Sequence, residues 1–151
     1  MKQVWPVLLI GILYCVPMTV MSQDMPSLRR RSEEIVKAKN PNWKLIRKQE
    51  REKEITYLWG PEKADVILTV FYGASKQEAA DRMKATLDRL SVGPGKEIAG
   101  FGDEAYFFKT ETNDSGVLRF RKGNVYVEVI ASSAKIAEDL ANSIAREIRK
   151  K

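Results

Sequence analysis

The chain has 151 residues, of which 44% are hydrophobic and 30% are charged, a balance that is typical of a globular protein and excludes a disordered or fibrous one. Its net charge of +6 is a mild excess that solubility alone favours, so we do not expect nucleic acid as a partner. The chain has no histidine and a single cysteine, Cys15, which excludes an internal disulfide and the zinc sites that cysteine and histidine build. We therefore expect neither a bound metal nor a cofactor.

The N-terminal residues are organised like a secretory signal peptide. Lys2 gives the chain a positive start, residues 4–20 are almost uncharged and largely apolar, and short residues follow before Gln23. This order matches the n-region, the h-region and the peptidase site of an export signal. We predict that residues 1–22 are removed and that the mature chain, which has no transmembrane segment, works in the periplasm or outside the cell.

Two other interpretations of the N-terminus stay open. The apolar run is near the lower length limit of a membrane-spanning helix, and Pro6 and Pro17 weaken it further, so an uncleaved anchor is the first alternative. The second alternative is lipidation of Cys15, although Tyr14 stands where a lipoprotein signal needs a small residue. With the signal removed, the mature domain is free of cysteine.

The mature sequence divides into a helical lead-in over residues 23–40 and a single α+β domain over residues 41–151. A helix is predicted over residues 25–39, with Ser27 as its N-cap. The Asn40-Pro41 pair ends this helix because a residue before proline avoids the α region. Alternating or continuous apolar residues then predict three strands, over residues 43–49, 55–59 and 66–72.

The second half of the domain contains two further helices. The residues from Ser75 to Glu78 form a capping box, which begins a helix whose buried stripe runs to Leu90. Ser132 or Ser133 caps the final helix. Between the two helices, the sequence predicts a glycine-rich loop and three strands, over residues 100–104, 105–111, 117–122 and 125–131.

The last two strands are joined by Gly123-Asn124, a two-residue hairpin signal. This loop places Phe120 opposite Val127 on an apolar face and Arg119 opposite Glu128 on the other face, where the charges are complementary. Register and pattern agree, so we predict an antiparallel hairpin.

The predicted order of elements is α-βββ-α-βββ-α. Because short turns join consecutive strands, we predict an α+β fold with a mostly antiparallel sheet of about six strands and with helices packed on it. Residues 66–90 and 125–148 are alike, since each is an apolar strand followed by an amphipathic helix. The likeness fits either an internal repeat or two ordinary strand–helix units.

Two short motifs carry a family resemblance. They are Gly100-Phe101-Gly102-Asp103-Glu104-Ala105-Tyr106 and the hairpin residues from Leu118 to Val127. Together they resemble the G-x-G-D-E-A-Y…R-x-G-N-x-x-V signature of small exported bacterial proteins, many of them known only as domains of unknown function. The arrangement of elements is similar to PsbP-like folds, and the resemblance covers most of residues 40–150. It implies an exported, non-enzymatic domain and supplies no established site.

The loop over residues 100–104 and the adjoining hairpin edge are the best candidate for a binding surface. A phosphate loop is disfavoured because this loop leads to a strand and carries two acids, which alone make only a weak cation site. Guanidinium groups on the hairpin can receive a phosphate, a carboxylate or an acidic partner. The opposing interpretation is a tight turn beside an ordinary cross-strand ion pair. The candidate binding residues are Gly100, Gly102, Asp103, Glu104, Tyr106, Arg119, Arg121, Lys122 and Tyr126.

The expected function is that of a non-catalytic binding or interaction domain of the bacterial cell envelope or exterior. Its partner is expected to be an envelope or extracellular protein or an anionic surface. Catalysis is not expected because the commonest general base, histidine, and a thiol in the mature chain are both missing from the sequence.

Two alternative functions stay open at this point. One is a small-ligand carrier with a pocket between a helix and the aromatic strand residues, which are Trp43, Tyr57, Trp59 and Tyr72. The other is a hydrolase with a serine–lysine pair, either Ser75 with Lys76 or Ser133 with Lys135, although both serines are expected as helix caps.

Overall fold

The computed structural model of the chain describes residues 25–90, 93 and 95–148, so the predicted signal peptide and Cys15 lie outside the described residues. In chain order the described elements are α1 (Met25–Lys39), β1 (Lys44–Glu50), β2 (Glu54–Gly60), β3 (Val66–Tyr72), α2 (Lys76–Leu87), β4 (Lys96–Glu97), β5 (Glu104–Lys109), β6 (Gly116–Lys122), β7 (Val125–Ala131) and α3 (Ala134–Glu147).

The described strands form one seven-stranded sheet in the order β1-β2-β3-β7-β6-β5-β4, and every neighbouring pair is antiparallel. The predicted α+β fold with an antiparallel sheet is confirmed. The sheet has one strand more than predicted because Lys96 and Glu97 pair with Phe107 and Tyr106 as the short β4. Two residues are too few to leave a periodic pattern in the sequence.

The predicted hairpin register is confirmed. Phe120 lies opposite Val127 and Arg119 lies opposite Glu128 in the β6–β7 ladder. Since a slip of one residue would exchange the two faces of a strand, this register fixes which side chains enter the core.

The main core lies between one face of the sheet and the helices α1 and α3. Ile55, Tyr57 and Trp59 of β2 are buried on this face, as the period of two predicts. The other strands and the helices contribute further buried residues, among them Leu28, Val36, Leu68, Val70, Leu118, Phe120, Val127, Val129, Leu140 and Ile144.

Helix α2 lies on the opposite face of the sheet. Its Met83 packs with Phe71 of β3 and Tyr126 of β7 in a second and smaller cluster of buried residues. Ala79 and Met83 are buried, whereas the remaining residues of the predicted stripe, Ala80, Leu87 and Leu90, are half-buried. The second cluster therefore depends on a few large side chains.

The helix starts differ in how they are capped. Ser27 lies inside α1, so its prediction as an N-cap is wrong. At α2 the serine half of the capping box is confirmed, because Ser75 Oγ accepts a hydrogen bond from the Glu78 amide at 3.1 Å. The Glu78 carboxylate instead accepts from the amide of Ala74, one residue before the N-cap, at 2.6 Å. Ser133 occupies the N-cap position of α3, but its hydroxyl lies 3.3 Å from Asp114 Oδ2 and makes no hydrogen bond to the helix.

None of the described helices has both the length and the apolar character that crossing a membrane requires.

The two similar strand–helix units meet at the centre of the sheet. β3 and β7 are direct neighbours, with Thr69 opposite Glu128. Their helices, however, pack on opposite faces, since α3 joins the main core and α2 the second cluster. A two-fold rotation that exchanged the strands would leave both helices on one face, so this placement favours two ordinary strand–helix units over an internal repeat.

Candidate functional site

The glycine-rich loop runs against the backbone of the β6–β7 hairpin. The amide of Asp103 donates a hydrogen bond to the carbonyl oxygen of Arg121 at 2.8 Å. A Cβ atom on Gly102 would lie 2.5 Å from the same carbonyl oxygen, closer than real Cβ atoms come to backbone. Glycine is therefore required at position 102 by the close approach of two backbone segments.

One carboxylate closes the contact between loop and hairpin. Asp103 Oδ2 accepts hydrogen bonds from the amide of Gly123 and from Nη1 of Arg121, both at 2.8 Å. We refer to Asp103, Arg121 and Gly123 as the loop–hairpin clasp. The clasp gives a structural role to the acid of the first motif and to the arginine and glycine of the second.

The sheet register assembles a block of polar side chains beside the clasp. On the α2 face, Glu104 and Tyr126 lie on either side of Arg121, and in the next row Tyr106 and Glu128 lie on either side of Arg119. Within the block, the Tyr106 hydroxyl donates to Glu104 Oε1 at 3.1 Å. Arg119 Nε lies 2.5 Å from Glu128 Oε2, and Arg121 Nε lies 3.7 Å from Glu104 Oε2.

Burial controls the electrostatics of this block. Arg119 is 6% exposed and Tyr126 is 1% exposed. Burial, together with the neighbouring Glu128 charge, raises the pKa of Tyr126 to about 12. The pKa of Tyr106 is also raised, first by burial and then by its hydrogen bond to Glu104. The charged groups of the block are thus paired with one another, which favours a structural role for them.

The structure separates Lys122 from the two arginines. Because side chains alternate along a strand, Lys122 points to the α3 face, where its ammonium donates to the carbonyl oxygen of Ala145 at 2.5 Å. Of the predicted site residues, Glu104, Tyr106, Arg119, Arg121 and Tyr126 therefore lie on one face of the sheet, Lys122 lies on the other, and Gly100, Gly102 and Asp103 lie in the loop between them.

An open pocket of about 290 Å³ lies on the α3 side of the loop. We call it the loop pocket; its lining residues are Gly100, Phe101, Gly102, Lys122, Asn142, Ala145 and Arg146. Sequence reasoning missed Asn142 and Arg146. The available signal was their spacing of one helical turn on the exposed side of α3, and this spacing alone does not indicate which surface faces the loop.

The aromatic and serine candidates have other roles in the fold. Tyr57 and Trp59 belong to the main core, which favours packing over a ligand pocket. The Lys135 ammonium donates to Asp139 at 2.9 Å, and both Ser75 and Ser133 have the helix-start contacts described above. These contacts give no support to either serine–lysine pair.

A comparison of the chain with protein-family models, with curated proteins and with solved structures finds no match. The resemblance to small exported proteins with PsbP-like folds stays a prediction.

Proposed function

We propose that the chain is an exported, non-catalytic binding domain of the bacterial cell envelope or exterior, and that the loop pocket is its contact surface. The observation that carries this proposal is a difference between the two faces of the sheet at the loop over residues 100–104. On the α2 face the charged groups of the loop and of the β6–β7 hairpin are paired with one another, whereas on the α3 face the same loop borders an open pocket.

The chemistry of the loop pocket suits a polar partner with an acidic group. Two basic side chains, Lys122 and Arg146, and the amide of Asn142 line it together with the backbone of the loop. Arginine and amide side chains give directional hydrogen bonds to a carboxylate, which favours a protein surface as partner.

The proposal is tested by site-specific photocrosslinking of the full-length chain expressed in a bacterium. A photoreactive residue at position 142, inside the pocket, is compared with one at Glu138, which is exposed one turn earlier on α3 and does not line the pocket. We expect a discrete adduct from position 142 only, and we expect Arg146→Glu to abolish it. Equal adducts from both positions, or an adduct that survives the charge reversal, would contradict the proposal.

Export is tested separately by the mass of the protein in each cell fraction. We expect the periplasmic or external protein to lack residues 1–22 and to carry no lipid. A full-length protein in the membrane fraction would support the anchored alternative, and an added lipid mass would support modification at Cys15.

A further inference from the structure

A second open cleft lies on the other side of the sheet, between the turn that joins β1 to β2 and the C-terminal half of α2. Its volume is about 430 Å³, and its lining residues are Arg51, Glu52, Lys53, Glu54, Phe71, Arg82, Ala85 and Arg89. Four of these residues are basic. We refer to it as the basic cleft.

Two of the four cations are paired with acids of the chain. Arg82 contacts Glu54 Oε2 through Nη2 at 2.6 Å and through Nε at 2.7 Å, and it also donates to Thr86 at 2.6 Å. The Lys53 ammonium lies 2.7 Å from Glu78 Oε1, and this contact raises the pKa of Lys53 and lowers that of Glu78. These pairs fix the walls of the basic cleft.

The other two cations face the cleft without such a pair. The side chains of Arg51 and Arg89 are exposed, and no hydrogen bond or ion pair of either guanidinium is seen within residues 25–90, 93 and 95–148. Glu52 also lines the cleft, where its charge acts on Lys53. Among the described residues, two guanidinium groups and one carboxylate, that of Glu52, therefore line the cleft without an ion pair.

The backbone that carries Arg51 is held in place. Its amide donates to the carbonyl oxygen of Glu54 at 2.8 Å, and its carbonyl oxygen accepts a hydrogen bond from Arg29 of α1 at 3.2 Å. The same turn is also held by β3, because the Tyr72 amide donates a hydrogen bond to the carbonyl oxygen of Lys53 at 2.8 Å. These hydrogen bonds connect the turn to α1 and to β3 and hold the backbone of Arg51 in place. Less conformational entropy is therefore lost when its guanidinium binds a ligand.

We infer that the basic cleft binds a phosphate monoester through Arg51 and Arg89. The planar guanidinium fork matches phosphate oxygens in a bidentate way, and two forks can share one dianion. Phe71 and Ala85 supply an apolar wall for the organic part of such a ligand. This site is separate from the loop pocket and does not depend on the function proposed for it.

Calorimetric titration of the purified protein tests this site with four probes. They are inorganic phosphate, phenyl phosphate, benzoate, and phosphatidylcholine vesicles with and without phosphatidic acid. We expect saturable binding of phenyl phosphate that is stronger than that of benzoate. Vesicle binding that depends on phosphatidic acid would assign the phosphate to a lipid headgroup, whereas binding of the free monoester alone would assign it to a soluble ligand.

The matched variants are Arg51→Gln/Arg89→Gln and Arg30→Gln/Arg47→Gln. Both double variants lose the same charge from exposed positions, but only the first changes the basic cleft. We expect the first variant to weaken phosphate binding by about tenfold or more, since each lost contact is a charge-assisted hydrogen bond, and the second to bind like the unmodified protein. Circular dichroism confirms that both are folded, and the single variants replace the double one if it is not. The inference is overturned if no probe binds saturably, if benzoate binds as well as phenyl phosphate, or if both double variants lose affinity equally.

Discussion

Arg119 and Glu128 face each other across β6 and β7, and their Nε and Oε2 atoms are 2.5 Å apart in a largely buried ion pair. On the α2 face the pair lies between a row with polar side chains and a row with apolar ones. On one side is the row that contains Tyr126, and on the other is a row that contains Val117 and Ile130. An ion pair in such a place is costly to break but can be replaced by apolar groups.

We predict that Arg119→Met alone lowers the free energy of unfolding by about 3–5 kcal/mol, because it leaves the largely buried Glu128 carboxylate without its partner. The double variant Arg119→Met/Glu128→Leu is expected to recover most of this loss. Urea unfolding of the three proteins measures the difference. A double variant that is less stable than Arg119→Met would contradict the prediction.

The loop–hairpin clasp gives a second prediction. Asp103→Ala removes one acceptor that serves both Gly123 and Arg121, so we expect a loss of about 1–3 kcal/mol in the free energy of unfolding. Asp103→Asn keeps an oxygen acceptor and is expected to lose less. Glu111→Ala, at an exposed acid in the turn after β5, serves as control and is expected to leave the stability nearly unchanged. Equal losses in the alanine and asparagine variants would show that the carboxylate charge, and not the acceptor, carries the effect.

The features that could be predicted from the sequence are those that short-range physics determines. The bounds of the strands Val66–Tyr72 and Val125–Ala131 follow from continuous β-branched and aromatic residues. The β6–β7 register follows from a two-residue loop, and the start of α2 follows from the Ser75 capping box. In each case the deciding residues are within about ten positions of one another.

The features that could not be predicted depend on residues far apart in the chain. Nothing in the local pattern places β3 beside β7, or α2 and α3 on opposite faces of the sheet. The loop pocket has Phe101 and Arg146 in its lining, and the basic cleft has Arg51 and Arg89, although each pair is about 40 positions apart in the chain. The sequence therefore predicted the loop and the hairpin that carry the candidate residues, but not that the loop borders a pocket on the α3 side.

The two helix-cap serines are expected to differ in their effect on stability. Ser75→Ala removes the acceptor of the Glu78 amide and is expected to cost about 1 kcal/mol. Ser133→Ala removes a contact with Asp114 but no hydrogen bond to the helix, so we expect it to cost less than half of that amount. Thermal and urea unfolding of both variants give the comparison. A cost of Ser75→Ala as small as that expected for Ser133→Ala would show that the Ser75 hydroxyl does not act as a cap in solution.

The buried tyrosines make the stability depend on alkaline pH. The pKa of Tyr126 is raised from 10.0 to about 12, and burial also raises the pKa of Tyr57. Below pH 10 both phenols are neutral in the folded and the unfolded chain, so their burial has its full effect. Above pH 10 the unfolded chain ionises first, and the free energy of unfolding falls as the pH rises, by about 1.4 kcal/mol per pH unit for each such group.

Tyr126→Phe tests the sign and the source of this dependence. We expect this variant to lose stability less steeply between pH 10 and about 12 than the unmodified protein does, because one ionising group is gone. Leu140→Ala is the control, since Leu140 lies in the main core and not in the cluster that buries Tyr126, and its truncation lowers stability without removing a phenol. We expect this control to be less stable at every pH and to keep the original slope. Urea unfolding across the alkaline range, with phenolate absorbance recorded in parallel, distinguishes the two, and an unchanged slope in Tyr126→Phe would show that Tyr126 is not the group that titrates.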